Sequence, residues 1–176
     1  GELFVMDDGW FGDKYPRKND SSSLGDWVVD KNKLPNGIEG LLSDAKKHGV
    51  KFGIWIEPEM ANTTSELYEK HPDWVLKASE RDVVLGRGGT QVVLDLANPA
   101  VQDFVFGVVD NLMTSYPEID YIKWDANMSV QNHGSQYLTK DNQSHMYIEF
   151  HRGFEKICQR IRAKYPDLTI QACASG

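Results

Sequence analysis

Asp120-Tyr121-Ile122-Lys123-Trp124-Asp125-Ala126-Asn127-Met128 decides how this chain is read, because a run with the apolar character of a buried strand carries a cation and an anion out at its end. Side chains alternate faces along a strand, so Lys123 and Asp125 share one face while Ile122 and Trp124 pack on the other. An ammonium a few ångströms from a carboxylate favours the ionised form and lowers its pKa. Such a carboxylate suits a nucleophile or an electrostatic stabiliser at neutral pH. Taken alone, Lys-x-Asp is more often a partly buried structural ion pair, so the neighbouring motifs decide.

Four further apolar runs resemble the first: Leu3 to Asp7, Val50 to Ile56, Val92 to Leu96 and Leu168 to Cys173. Helical stretches lie between the runs. The spacing of Ile38, Leu41, Leu42 and Ala45 predicts a helix to about His48, with Gly49 as its terminator. A short helix is predicted near Ser65 to Lys70. Asn98-Pro99 reads as an N-cap followed by proline at the first helical position, opening a helix through Val101, Val105, Val108 and Leu112 that stops at Tyr116-Pro117. A last helix carries Tyr147, Phe150, Phe154, Ile157 and Ile161 and ends before Pro166.

Strands of continuous hydrophobicity alternating with helices predict an α/β protein with a helix-covered parallel sheet. A full (β/α)8 TIM barrel takes about 250 residues and places its active site at the carboxyl ends of the strands. The five runs in 176 residues therefore predict a partial (β/α)8 barrel, about the first five βα units. Residues 1–176 are expected to form one incomplete catalytic barrel domain whose remaining strands lie beyond Gly176.

Composition narrows the partners. The formal charge of -7 is spread along the chain, which disfavours nucleic acid. No run approaches the ~18 apolar residues of a membrane span, so no membrane partner is expected. The expected compartment is the cytoplasm, although a chain that opens on Gly1-Glu2 says little about a signal. Cys158 and Cys173 are too few for a disulfide framework and lack metal spacing.

Each predicted strand ends in polar or small residues. The first delivers Asp7-Asp8-Gly9-Trp10, the second Trp55-Ile56-Glu57-Pro58-Glu59, the third Asp95, the fourth Lys123 and Asp125, and the fifth Cys173, Ser175 and Gly176. Adjacent aspartates beside a tryptophan suit a sugar, whose vicinal hydroxyls donate to carboxylates and whose apolar side an indole face covers. A Mg²⁺ or Ca²⁺ site on Asp7, Asp8, Glu57, Glu59 and Asp125 is the rival, but no compact ligand loop supports it. Gly86-Arg87-Gly88-Gly89-Thr90 lacks the Gly-Lys-Ser/Thr of a phosphate loop. Neither a metal nor a cofactor is expected.

The motifs Leu3-Phe4-Val5-Met6-Asp7-Asp8-Gly9-Trp10-Phe11-Gly12, Gly53-Ile54-Trp55-Ile56-Glu57-Pro58-Glu59-Met60, Val93-Leu94-Asp95-Leu96 with Asn98-Pro99, Tyr121-Ile122-Lys123-Trp124-Asp125-Ala126-Asn127 and Cys173-Ala174-Ser175-Gly176 together resemble the microbial α-galactosidases of glycoside hydrolase family 36. The resemblance covers essentially the whole chain in the expected order. It implies a retaining α-galactosidase acting on terminal α-galactosyl residues of the melibiose and raffinose type, with Asp125 as nucleophile. It further implies a galactose pocket formed by Asp7, Asp8, Trp55, Arg87, Lys123, Asn127, Cys173 and Gly176. The family's acid/base aspartate follows its Cys-x-Ser-Gly motif, so the resemblance puts that residue beyond Gly176, and the flanking β domains are likewise outside the chain. The turn before Gln91 is slightly longer than the family's usual Arg-x-Gln, which loosens the assignment of Arg87. A raffinose-synthase-like galactosyltransferase, an N-acetylgalactosamine-specific enzyme and an inactive sugar-binding or structural fragment remain open alternatives. A homo-oligomeric parent protein is compatible with all of them.

Overall fold

The computed structural model describes residues 1–131 and 134–174. Its elements run β1 (Leu3–Met6), α1 (Gly37–Lys47), β2 (Lys51–Ile56), β3 (Met60–Asn62), α2 (Glu66–Lys70), β4 (Gln91–Val93), α3 (Pro99–Ser115), β5 (Tyr121–Trp124), α4 (Met146–Lys164) and β6 (Thr169–Ala172). β1, β2, β5 and β6 lie side by side in that order as a parallel sheet. Parallel neighbours require crossover connections, and α1, α3 and α4 provide them. The α/β architecture with a parallel sheet, expected from the alternation of runs, is the one observed.

The third run departs from expectation. β4 pairs antiparallel with β3, and β2 bonds directly to β5, so the described residues hold four parallel strands rather than five. Val92, Val93, Leu94 and Leu96 are nonetheless fully buried. Burial on all sides produces an unbroken apolar run whichever sheet the strand joins, and the pattern alone cannot tell the two apart.

Local chemistry explains the helices. The Asn98 side chain accepts the Ala100 N–H while Pro99 occupies the first helical position of α3. α1 closes at His48 and the chain turns at Gly49, whose φ of 63° favours glycine. α2 is too short to persist alone and is capped twice. Ser65 Oγ accepts the Tyr68 N–H, and the Asp26 carboxylate accepts those of Glu66 and Leu67. Asp26 thereby ties the long β1–α1 loop to the segment after β2.

One face of the sheet is apolar. Ile54, Ile56 and Ile122 are fully buried, and Trp124 meets Phe154 of α4 edge-on at 6.0 Å. Helix α4 can approach closely because Gly153 has no side chain; a Cβ there would overlap the Leu96 carbonyl, which accepts from Gln102 Nε2 at 2.8 Å. Gly153→Ala is therefore expected to destabilise the fold by about 1–3 kcal/mol, the range for forced overpacking, despite the better helix propensity of alanine. Thermal melts of the two proteins would check this, and an unchanged or raised Tm would refute the close approach.

Candidate functional site at the strand ends

Sheet register assembles the site. Trp55, Lys123 and Gln171 are aligned across β2, β5 and β6, on the face opposite Ile56 and Trp124. The ladder continues past the strand ends, with Asp125 N donating to Ile56 O at 2.8 Å and Cys173 N to Trp124 O at 2.7 Å. Two residues further along the same face, Glu57, Asp125 and Cys173 follow. Asp7 and Asp8 leave β1 just after Met6, which pairs with Ile54.

Asp125 is 8% exposed and accepts three N–H groups. Trp55 Nε1 (3.1 Å) and Asn127 Nδ2 (2.6 Å) donate to Oδ2, and the Ala126 backbone donates to Oδ1 at 2.9 Å. These bonds fix the carboxylate plane. Asn127 in turn donates its backbone N–H to Glu57 Oε1 at 2.5 Å. Glu57 is buried, and desolvation pushes its pKa up to about 7 against the hydrogen bonds from Asn127, with the nearby Asp125 charge adding to the rise. Gln91 also bears on Glu57, although its Nε2 makes no hydrogen bond of normal geometry.

The expected pairing of Lys123 with Asp125 is corrected by the structure. Lys123 Nζ binds Asp7 Oδ2 at 2.9 Å. This hydrogen bond lowers the Asp7 pKa and raises that of Lys123. The physical reason is solvation: the Asp7 side chain is 65% exposed, so an ammonium beside it keeps water that the buried Asp125 would strip away. Asp125 relies on N–H dipoles instead. Cys173 is a partly buried free thiol.

Asp8 is held by a residue that sequence reasoning missed. Arg17 Nε and Nη2 donate to both Asp8 oxygens at 3.0 and 2.7 Å, and Nη1 donates to Asn62 Oδ1 and Ser22 O. Arg17 is 5% exposed, yet it sits among Lys, Asn and Asp in a loop sequence that gives no sign of burial. Asp20 lies 3.7 Å from Arg17 and 2.8 Å from Arg87. Arg87, at φ 49° in an exposed turn, joins the network through Asp20.

Three expectations change. Trp10 and Trp55 are 3% and 2% exposed and pack with Phe11 and Trp27, so neither offers an open indole face; Trp55 reaches the site through its N–H. Asp95 is buried and accepts Ser135 Oγ at 2.6 Å and the Ala97 N–H, anchoring a loop. Glu59 accepts Trp124 Nε1 at 2.7 Å on the helix side. Asp7, Asp8, Trp55, Lys123, Asp125, Asn127 and Cys173 thus gather at one edge of the sheet, while Gly176 lies outside the described residues. Among the described residues no group of three or more His, Cys, Asp or Glu is placed to hold a metal ion, and no helix is long and apolar enough to cross a membrane.

Removing Arg17 would leave the Asp8 carboxylate and the Ser22 carbonyl without these donors and take from Asn62 Oδ1 one of its two, the Leu24 N–H remaining. Arg17→Met is expected to cost about 3 kcal/mol, the lower end for a broken buried pair because Asp8 is partly exposed. Arg17→Lys should cost less but not restore stability, since an ammonium cannot reproduce the fork. Chemical denaturation of the two variants would test the ranking, and two neutral substitutions would remove Arg17 as the anchor.

A carboxylate fixed by N–H donors at the carboxyl edge of a parallel sheet is the kind of site that α/β barrel enzymes build. Within that class the chain belongs to the Melibiase family, whose profile matches residues 1–176. It is 39% identical over 175 residues to α-galactosidase AgaA of Geobacillus stearothermophilus, covering 99% of this chain and 23% of that protein. It is 41% identical over 182 residues to the probable α-galactosidase C of Aspergillus flavus, with the same two coverages. Among solved structures, the α-galactosidase of Lactobacillus brevis superposes with a TM-score of 0.91 at 41% identity, over 99% of this chain and 23% of that one. A variant of the glycoside hydrolase family 36 enzyme AgaA, solved in complex with raffinose, gives 0.91 at 39% identity over 99% and 24%. The chain therefore spans about a quarter of the length of these relatives.

Proposed function

We propose that residues 1–176 are part of the catalytic barrel of a retaining α-galactosidase that hydrolyses terminal α-galactosyl residues of raffinose-type oligosaccharides, with Asp125 as nucleophile. The observation that carries this reading is the Asp125 carboxylate, buried at a strand end and oriented by Trp55, Asn127 and the Ala126 amide. Membership of the Melibiase family and the raffinose bound to a similar enzyme support the substrate class.

In the retaining reaction Asp125 attacks the anomeric carbon and the glycosidic bond breaks, giving a covalent galactosyl-enzyme. A second carboxyl about 5–5.5 Å away protonates the leaving oxygen and then activates the water that releases galactose. Asp7, Asp8, Lys123, Asn127 and Cys173 supply donors and acceptors for the sugar hydroxyls, and Arg87 completes the described part of the pocket. The second carboxyl, the remaining barrel strands and the flanking β domains belong to a longer polypeptide. Two observations support that division: the chain matches about a quarter of its relatives' length, 23% of AgaA, and β1 and β6 are sheet edges, with Leu3 and Phe4 exposed on β1.

Asp125→Asn in the full-length protein is expected to reduce turnover of an aryl α-galactoside by at least about 10³-fold while changing galactose affinity little. Steady-state kinetics and calorimetry would separate the two effects, and parallel losses in both would count against a nucleophilic role.

A further inference from the structure

Glu57 sits beside Asp125 in register but has no role in the chemistry described so far. It is 2% exposed, which keeps it from reaching the leaving group of a bulky sugar. Its Oε1 accepts the Asn127 backbone N–H, and the Asn127 side chain holds Asp125 Oδ2. Two residues on, Glu59 accepts the indole N–H of Trp124. The pair Glu57 and Glu59 thus grips the strand end on both sides of Asp125, with Glu57 on the side that leads to the carboxylate.

We propose that Glu57 is a positioning residue for Asp125, setting the nucleophile's orientation through Asn127 and adding its own charge beside the reacting centre. The proposal rests on Asp125 being the nucleophile. The groups facing Glu57 are Asn127 and Asp125 at the end of β5 and Gln91 on β4; of these, Asp125 carries charge. A carboxyl in this setting loses its proton near pH 7. Below that pH Glu57 holds Asn127 as a neutral acceptor. Above it, a second negative charge stands beside a sugar that becomes positive in the transition state, and bond formation neutralises the repelled Asp125 carboxylate. Ionisation therefore lowers the barrier to attack, and the rate rises with pH.

The test is the rate at which 2-deoxy-2-fluoro-α-galactosyl fluoride traps the full-length protein, followed by intact mass and peptide mapping from pH 5 to 9. Fluoride departs with little acid assistance, so the readout isolates attack by Asp125. Wild-type protein is expected to form the Asp125 adduct with a rate that rises through about pH 7. Glu57→Gln keeps an acceptor for the Asn127 amide and should lose that rise. Glu57→Ala removes the acceptor as well and should be slower than Glu57→Gln by at least about tenfold at every pH, the scale of a misplaced reacting group. A Glu57→Gln profile parallel to wild type, or a wild-type profile without the rise, would overturn the positioning role. If Glu57→Ala does not fold, the other two profiles still decide. Wild-type protein that gives no adduct on Asp125 would sink the nucleophile assignment and this proposal with it, whereas an adduct with parallel profiles would sink the proposal alone.

Discussion

The parallel pairing of β2 with β5 is the constraint on which the site depends. Ile54 opposite Ile122 and Ile56 opposite Trp124 lock the apolar face against the helices. Side chains alternate strictly, so the same register places Trp55 beside Lys123 and Glu57 beside Asp125 on the other face. A slip of one residue would turn every one of these groups over. The core thus specifies the chemistry through the register. The buried Ile–Ile and Ile–Trp pairs make that register costly to change.

Charge in the site is arranged by how much water each group keeps. Where solvent reaches, at Asp7 and Lys123, ion pairing settles the charges. Asp8 is partly exposed and faces the buried Arg17, whose remaining donors are spent on Asn62 and Ser22. Asp125 is buried and receives N–H groups. A buried carboxylate beside a buried ammonium would carry two desolvation penalties, while peptide, amide and indole N–H groups bring partial charge without one of their own. Glu57, stripped of water by burial and with Asp125 close by, is driven toward its neutral form.

Much of this was legible in the sequence, for physical reasons that can be named. Asn98-Pro99 and Gly49 announced helix boundaries through local backbone chemistry, and the parallel sheet followed from unbroken apolar runs separated by helices. Strand-end placement marked Asp7, Lys123 and Asp125, and the family resemblance added Asn127. What could not be read depended on distant partners. Val92 to Leu96 has the composition of a barrel strand but pairs with β3, a choice made by chain path. Arg17 looks like a solvated loop residue until Asp8 and Asn62 meet it. Lys123 prefers Asp7, 116 residues away, over its neighbour at i+2, which local spacing could not reveal.

Glu57-Pro58-Glu59 explains how one short segment serves both faces of the strand end beside it. Successive odd residues of an extended chain would point the same way, yet Glu57 reaches Asn127 while Glu59 reaches Trp124 on the helix side. The chain leaves β2 after Ile56, turns at Pro58 and Glu59 and re-forms as β3 at Met60, so Glu57 keeps the alternation of β2 while Glu59 escapes it. Proline at the centre fixes its φ and has no N–H to satisfy. The two flanking glutamates are thereby free to diverge. Each bonds an N–H of the strand end, one on the residue before Asp125 and one two residues after it, so the segment bearing the nucleophile is held at both ends by the turn from β2.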